Sequence, residues 1–184
     1  METLELLQPK IELIEDYLAM LHESLLLGED RQLGYLQRLV ERIGNCRQEY
    51  ANYLQRLRYE EHSAGLAPGL VPQTTFWLVR DENRVVGESR LRHYLTPALR
   101  IEGGNIGYFI RHAERRKGYG TRILALTLEE ARAINLPRVL VTCDTDNIGS
   151  ARIIRKNGGV FDGDGISPRT AKPVSQYWIE LPAE

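Results

Sequence analysis

The chain has 184 residues, a length that fits one domain with a substantial core. Hydrophobic residues make up 42% of the chain and charged residues 27%, which excludes a disordered or fibrous protein. The formal net charge is −1, so no overall positive field indicates a nucleic acid or an acidic membrane as partner. The charge is uneven, however: residues 1–70 hold 12 acids and 7 bases, whereas residues 71–184 hold 13 acids and 17 bases.

The two cysteines, Cys46 and Cys143, are too few for a disulfide framework, and no cysteine–histidine spacing predicts a zinc site. Cys143 follows an apolar run and has no neighbouring histidine in the sequence, so we interpret it as a small buried hydrophobe. The first residues are acidic where a signal peptide is basic, and no apolar run reaches 18 residues. We therefore expect a soluble protein of the reducing cytoplasm that binds no metal.

The apolar pattern of the N-terminal part predicts a short strand and two helices. Its first segment alternates weakly and fits a strand, although a helix fits equally well. Apolar residues then recur every three or four positions in two long stretches, as they do on the buried face of a helix. The predicted order is a strand over residues 3–8, a helix from residue 11 to 25, a helix from residue 33 to 57, and a glycine- and proline-rich loop over residues 65–72.

From residue 74 onward the apolar period becomes that of a strand, and strands and helices then alternate. Segments rich in β-branched and aromatic residues predict strands, and an amphipathic run predicts each helix. The predicted order is a hairpin of strands 75–79 and 84–91, a loop 96–104, a strand 105–110, a helix 118–134, a strand 138–142, a helix 147–157 and a last strand 177–181.

One segment, at the junction between a predicted strand and a predicted helix, carries chemical information. Residues 111–122 contain five bases and the single acid Glu114. Gly118 and Gly120 let a backbone approach a ligand closely. The N–H groups and the dipole of a helix start both favour an anion. The sequence therefore predicts a site for a phosphate-bearing ligand, and we expect Gly120→Glu to abolish binding while leaving most of the fold intact.

Two common phosphate motifs do not fit this segment. A Walker loop places its lysine after the glycines, whereas Lys117 precedes them here. A dinucleotide fingerprint needs a third glycine at the position that Ile123 occupies. What remains is an R-x-x-G-x-G turn over residues 115–120.

This turn resembles the acyl-CoA pyrophosphate motif, [QR]-x-x-G-x-[GA], of the GNAT superfamily of N-acetyltransferases. Residues 147–151 and 156–161 look like the start and end of the helix that follows the family's fifth strand. Residues 91–93 and 103–108 are similar to a bacterial branch of predicted acetyltransferases. The resemblance covers residues 75–181 well and residues 1–70 only by helix count.

The resemblance implies a single α/β domain over residues 1–184. Its mixed, largely antiparallel sheet would be flanked by helices and splayed between strands four and five, near Ile110 and Thr142. Residues 1–70 would form the acceptor side, as a strand plus two helices, and residues 75–181 the acyl-CoA-binding core. Acetyl-CoA would be the cosubstrate, with its pantetheine arm on the backbone of strand four and its pyrophosphate on the turn. The residues implied in binding are Phe109, Ile110, Arg115, Arg116, Lys117, Gly118, Tyr119, Gly120, Thr121, Asn147 and Ser150. Asn147 also fits a simple helix cap.

The catalytic groups are harder to assign, because the sequence departs from the family at two places. Ile154 stands where many members carry a tyrosine acid, and Gly104 stands where the fourth strand often carries a carboxylate. The alternatives for the acid are Tyr108, Tyr119 and Tyr177, or unassisted departure of the thiolate. The alternatives for the base are Glu102, His93 and Glu88. Of these, Glu102, His93 and Tyr177 are the candidates that we single out.

The predicted function is transfer of acetyl from acetyl-CoA to a primary amine of a small molecule or peptide, by direct attack. A non-catalytic acyl-CoA sensor is the alternative, because the usual tyrosine is missing. The acidic segment 1–70 leads to a further hypothesis, that it attracts a cationic acceptor. We expect no nucleic acid and no membrane as partner, and the family makes a homodimer a reasonable expectation.

Overall fold

The computed structural model describes residues 2–28, 33–62 and 65–182 and shows an α/β fold with two antiparallel sheets. A first sheet has the strand order β1-β2-β3-β4, and a second has the order β5-β7-β6. The strands are β1 (Leu4–Leu7), β2 (Gln73–Arg80), β3 (Arg84–Arg92), β4 (Ile106–Ile110), β5 (Arg138–Asp144), β6 (Val160–Ile166) and β7 (Pro173–Glu180). The helices are α1 (Ile14–Leu27), α2 (Leu33–Ile43), α3 (Arg47–Tyr59), α4 (Pro97–Ile101), α5 (Tyr119–Ala133) and α6 (Ile148–Lys156).

The N-terminal part contains three helices among the described residues, not the two predicted. In the sequence, apolar residues recur every three or four positions through both α2 and α3, so the break between these two helices is not visible in the pattern. Gly44 has φ +80°, a left-handed conformation that ends α2. Glu49 then accepts a hydrogen bond from the N–H of Asn45 at 2.8 Å, which fixes the start of α3. In the described part of the chain, no helix combines the length and apolar character needed to cross a membrane.

The first sheet is sandwiched between helices. On one face, α1 to α3 enclose a core around Tyr17 and Trp77, whose rings stack at 4.3 Å. On the other face, α5 packs on β3 and β4, and the hydroxyls of Ser89 and Thr127 lie 2.7 Å apart. Because successive side chains of β3 point to opposite faces of the sheet, they pack alternately into the two buried layers. The hairpin of β2 and β3 and the strand β1 agree with the sequence prediction.

The second sheet contains a strand that the sequence did not predict. Strand β6 includes the run Asp162-Gly163-Asp164-Gly165, and these residue types are depleted in strands. It lies at the sheet edge, paired with β7 alone, and most of its residues are exposed. The pairing with β6 also extends β7 back to Pro173, four residues before its predicted start.

The two sheets meet at one end of β4 and β5 and separate from there. The Asn105 N–H donates to the Leu140 carbonyl at 2.7 Å, and the Leu140 N–H donates to the Asn105 side chain at 2.8 Å. The Gly103 N–H donates to the Thr142 hydroxyl at 3.0 Å. Gly104 lies at this junction with φ +58°, against the backbone of Leu140. Beyond the junction the two strands belong to different sheets, which confirms the predicted splay.

Candidate active site

The turn between β4 and α5 has the backbone geometry of an anion site. Arg116 has φ +65° and Gly118 has φ +89°, so two residues of the turn have left-handed backbone just before the helix begins. The first bonds of α5 run from the N–H groups of Thr121 and Arg122 to the Gly118 carbonyl, at 3.0 and 3.2 Å. The N–H groups that precede them point out of the helix start, where the helix dipole is positive.

The positive charge of this turn is smaller than the sequence suggests. Arg111 is only 1% exposed; its Nε and Nη2 both donate to the Glu23 carboxylate, and its Nη1 donates to the Asp16 carboxylate at 2.9 Å. It also reaches the Val85 carbonyl at 3.2 Å. Arg111 therefore holds the turn against α1 and β3 and is not a phosphate ligand.

Glu114 anchors the same turn from its other side. This buried carboxylate accepts hydrogen bonds from Arg80 and Lys117, both at 2.8 Å. Burial favours the neutral acid, but the bonds from Lys117 and Arg80 outweigh it and hold the pKa of Glu114 below its ordinary value. Arg115 and Arg116 remain exposed on the outer side of the turn, and Arg115 donates to the Ile110 carbonyl at 3.3 Å.

Gly120 lies where α5 contacts α6. A Cβ at this position would lie 2.6 Å from Cδ1 of Ile153 on α6 and 3.9 Å from Cγ1 of Ile110. A side chain at Gly120 would therefore have to displace the end of the Ile153 side chain in the contact between α5 and α6, and the expectation that Gly120→Glu spares most of the fold stays a prediction. A Cβ at Gly118, in contrast, would meet no atom within 4 Å among the described residues.

The free edge of β4 lines the splay. Bonds from Arg111 N–H to Val86 O and from Arg92 N–H to Asn105 O show that odd-numbered residues of β4 bond to β3. Because backbone groups alternate in direction along a strand, those of Tyr108 and Ile110 face the splay. The predicted backbone contact at Ile110 is compatible with this geometry, whereas the backbone of Phe109 points toward β3 and its ring packs against the core around Tyr17.

Hydroxyl groups meet across the splay. The Tyr108 hydroxyl on β4 lies 3.1 Å from the Ser150 hydroxyl on α6. The Asn147 side chain accepts from the Ser150 N–H at 3.1 Å, so Asn147 is the N-cap of α6, as one of its two predicted roles requires. Burial raises the pKa of Tyr108 and that of the Cys143 thiol, so both hold their protons at neutral pH.

The three predicted catalytic residues have other partners. Glu102 accepts from Ser167 at 2.6 Å and from Arg169 at 2.7 Å, and these bonds overcome the effect of burial and lower the pKa of Glu102. Tyr177 is 2% exposed, and its hydroxyl accepts a 3.3 Å bond from Arg155. Neither side chain bonds to the hydroxyl pair of the splay.

His93 lies at the opposite end of α5 from the turn. Its Nε2 is 3.0 Å from the Thr74 hydroxyl, in a cleft of about 290 Å³ that Glu130 also lines. Glu130 lies roughly 16 Å along the helix from Tyr119, at 1.5 Å per residue. Burial, together with the charge of His62, lowers the pKa of His93. The geometry does not favour His93 as the base.

A sequence model described as the acetyltransferase (GNAT) domain matches residues 15–160, more than half of the chain. The chain belongs to the GNAT acetyltransferase family. Membership makes this protein an acyltransferase, and the two-sheet architecture with its split between β4 and β5 is the GNAT fold. A search of curated proteins found no match.

Solved structures of acetyltransferases share this fold over nearly the whole of the chain. RimL, a ribosomal L7/L12 α-N-protein acetyltransferase in complex with coenzyme A, is 16% identical over 99% of this chain and 96% of its own, with TM-score 0.70. The microcin C7 self-immunity acetyltransferase MccE, in complex with acetyl-CoA and AMP, is 12% identical over 97% and 92%, with TM-score 0.67. A GNAT acetyltransferase from Streptococcus pneumoniae is 16% identical over 98% and 100%, with TM-score 0.65.

Two features of this GNAT site escaped the sequence analysis. Tyr108 and Ser150 were both noted, but their pairing depends on how α6 packs against β4. A polar row on β3, formed by Glu88, Arg90 and Arg92, faces the helices α1 to α3. Its signature in the sequence was three charged residues at alternate positions of an otherwise buried strand.

Proposed function

We propose that this GNAT domain transfers acetyl from acetyl-CoA to a primary amine of a small molecule or peptide, by direct attack of the amine on the thioester. The observation that carries the proposal is the junction of an anion-binding turn with an open strand edge, both at the end of β4. RimL and MccE, which share the fold, have been solved with coenzyme A and with acetyl-CoA, respectively.

The residues present fit acetyl-CoA at three points. The N–H groups of residues 116–120 and the exposed Arg116 would bind the pyrophosphate. The backbone groups of Tyr108 and Ile110 would pair with the amides of the pantetheine arm as a further strand does. Asn147 and Ser150, at the start of α6, would border the thioester end of the arm.

The reaction needs few protein groups. The amine nitrogen forms a bond to the thioester carbonyl carbon, the carbon–sulfur bond breaks, and the electron pair leaves with sulfur. The Tyr108–Ser150 pair would donate a proton toward that sulfur, since both hydroxyls are protonated at neutral pH and adjoin the splay. The ammonium group would lose one proton to solvent before attack, and the proton that the nitrogen releases as the amide forms would restore the hydroxyl that protonated the sulfur. Cys143 keeps its thiol form because burial raises its pKa, which favours direct attack over an acyl-cysteine intermediate.

Calorimetric titration with acetyl-CoA tests the binding half of this proposal. Arg116→Glu puts an acid beside the expected pyrophosphate, whereas Arg132→Glu makes the same charge change in the last turn of α5, at the far end of the helix that follows the turn. We expect the first variant to weaken binding about tenfold or more and the second to leave it near wild type. If the two variants bind acetyl-CoA equally well, or if folded wild type does not bind it, the turn is not the pyrophosphate site.

Turnover tests the catalytic half. Release of coenzyme A across a panel of primary amines supports the enzyme. Tight acetyl-CoA binding without release would favour the sensor alternative, which rests on the buried Ile154 at the place of the family's usual tyrosine.

A further inference from the structure

The face of β3 that points to α1, α2 and α3 carries more positive than negative charge. Glu88, Arg90 and Arg92 alternate along the strand and therefore share this face. Glu88 is 2% exposed and accepts bonds from the Tyr17 hydroxyl and, at 2.8 Å, from Nε of Arg90. One carboxylate thus faces two guanidinium groups.

Arg92 supplies the excess charge. Its hydrogen bonds within the described ranges run from Nη1 to the carbonyls of Gly103 and Gly104, at 3.0 and 3.1 Å. These bonds use one nitrogen of a group with five N–H donors. Burial is the main cause that lowers the pKa of Arg92, and the nearby charge of Arg90 lowers it further.

Open space adjoins this charge on β4. Gly107 pairs with Arg90 across the two strands and therefore lies on the same face. A Cβ on Gly107 would meet one described atom within 4 Å, Nη1 of Arg92 at 3.9 Å. Tyr35 of α2 covers the other side, with its ring 5.1 Å from the Arg90 guanidinium. Arg92, Gly107 and Tyr35 are all half-buried, so a small ligand has access to them.

The open space bordered by Arg90, Arg92, Tyr35 and Gly107, called the recess below, lies across β4 from the Tyr108–Ser150 hydroxyl pair. The side chain of Tyr108 points toward α6, so the neighbouring Gly107 and Phe109 face the opposite side of the strand. An acceptor that enters over Gly107 reaches the edge of β4 from the side that the Tyr108–Ser150 pair leaves open.

We propose that Arg92 and Arg90, with the space over Gly107, form a subsite for an anionic group of the acceptor, so that the preferred substrates are amines that also carry a carboxylate or a phosphate. This inference rests on the proposed function. It differs from the hypothesis that the acidic segment 1–70 attracts a cationic acceptor, which stays a prediction. Asp16 and Glu23 of that segment are already paired with Arg84 and Arg111.

Matched amine pairs test the subsite. An amino acid is compared with its amide, and phosphoethanolamine with ethanolamine, so that only one member of each pair carries the anion. We expect wild-type kcat/KM to favour the anionic member of at least one pair by about 10- to 100-fold. The pair that shows the preference distinguishes carboxylate from phosphate. A preference for neutral amines in both pairs would overturn the proposal.

Three variants attribute the preference to the recess. Arg92→Gln should remove it through a higher acceptor KM, Arg92→Lys should keep part of it, and Gly107→Ala should weaken it by filling space without changing charge. Arg100→Gln, at an exposed arginine, is the control. Acetyl-CoA affinity should stay within about threefold of wild type in all four variants. An unchanged preference in Arg92→Gln would contradict the assignment.

A binding arm separates failure of the subsite from failure of the proposed function. If no amine in the panel is acetylated, phosphoethanolamine and the amino acid are titrated into protein saturated with coenzyme A. Binding that Arg92→Gln loses supports the subsite even without turnover, and absence of binding to wild type overturns it.

Discussion

Gly104 offers a direct test of how the two sheets are joined. A Cβ on this residue would lie 3.0 Å from the Leu140 carbonyl carbon, 3.3 Å from Cα of Val141, and closer still to the Leu140 oxygen. These atoms belong to the backbone of β5, so they cannot move aside as the end of a side chain can. Gly104→Ala should therefore incur two costs, one from its left-handed backbone at φ +58° and one from the clash.

The two costs can be measured separately. A left-handed non-glycine residue costs roughly 1–2 kcal/mol, and overpacking adds about 1–3 kcal/mol, which gives about 2–5 kcal/mol for Gly104→Ala. Gly118→Ala has φ +89° and free space around its Cβ, so it should incur only the first cost. Urea unfolding of both variants, measured without ligand, gives the difference between their free energies of unfolding, which is the cost of the clash. If Gly104→Ala destabilises the protein no more than Gly118→Ala, the close approach of β4 and β5 at this point is not as described.

Two further predictions concern the hydroxyl pair and the buried acid of the turn. Tyr108→Phe and Ser150→Ala should each lower kcat by about 10²-fold or more while acetyl-CoA affinity, measured by calorimetry, changes little; an unchanged kcat in both would exclude the pair as the proton donor. Because the folded-state pKa of Glu114 lies below its ordinary value of 4.5, its stabilising effect is present above that pH and is lost as the pH falls through the folded-state value. Glu114→Gln should therefore be less stable than wild type at pH 7 but lose less stability between pH 5 and pH 3, and urea unfolding across that interval checks this against Glu129→Gln, an exposed control.

Features that depend on neighbouring residues could be predicted from the sequence. The turn at residues 115–120 is local, and so is the hairpin of β2 and β3, whose alternating pattern is visible in a few residues. The break between α2 and α3 was missed because buried leucines continue the stripe on both sides of Gly44. Strand β6 was missed because its pairing with β7 overrides the poor strand propensity of aspartate and glycine.

Features that depend on distant partners could not be predicted from the sequence. Arg111 belongs to the basic run in the sequence, but its ligands Asp16 and Glu23 lie 95 and 88 residues away. The packing role of Gly120 depends on Ile153 of another helix. The absence of a carboxylate at Gly104 has a steric reason as well, because β5 leaves no room for a side chain there. A missing family residue therefore need not mean that the chemistry has been lost.

The ion pairs of Arg111 have a consequence for how the chain can be divided. The turn expected to bind the pyrophosphate is held in place by Asp16 and Glu23 of α1, and neither residue belongs to that turn. A fragment that begins at residue 75 would keep every residue of the acyl-CoA motif, yet it would lose the two carboxylates that neutralise a buried guanidinium. Helix α1 thus supports the turn that we propose as the pyrophosphate site, through contacts between residues about 90 positions apart in the chain.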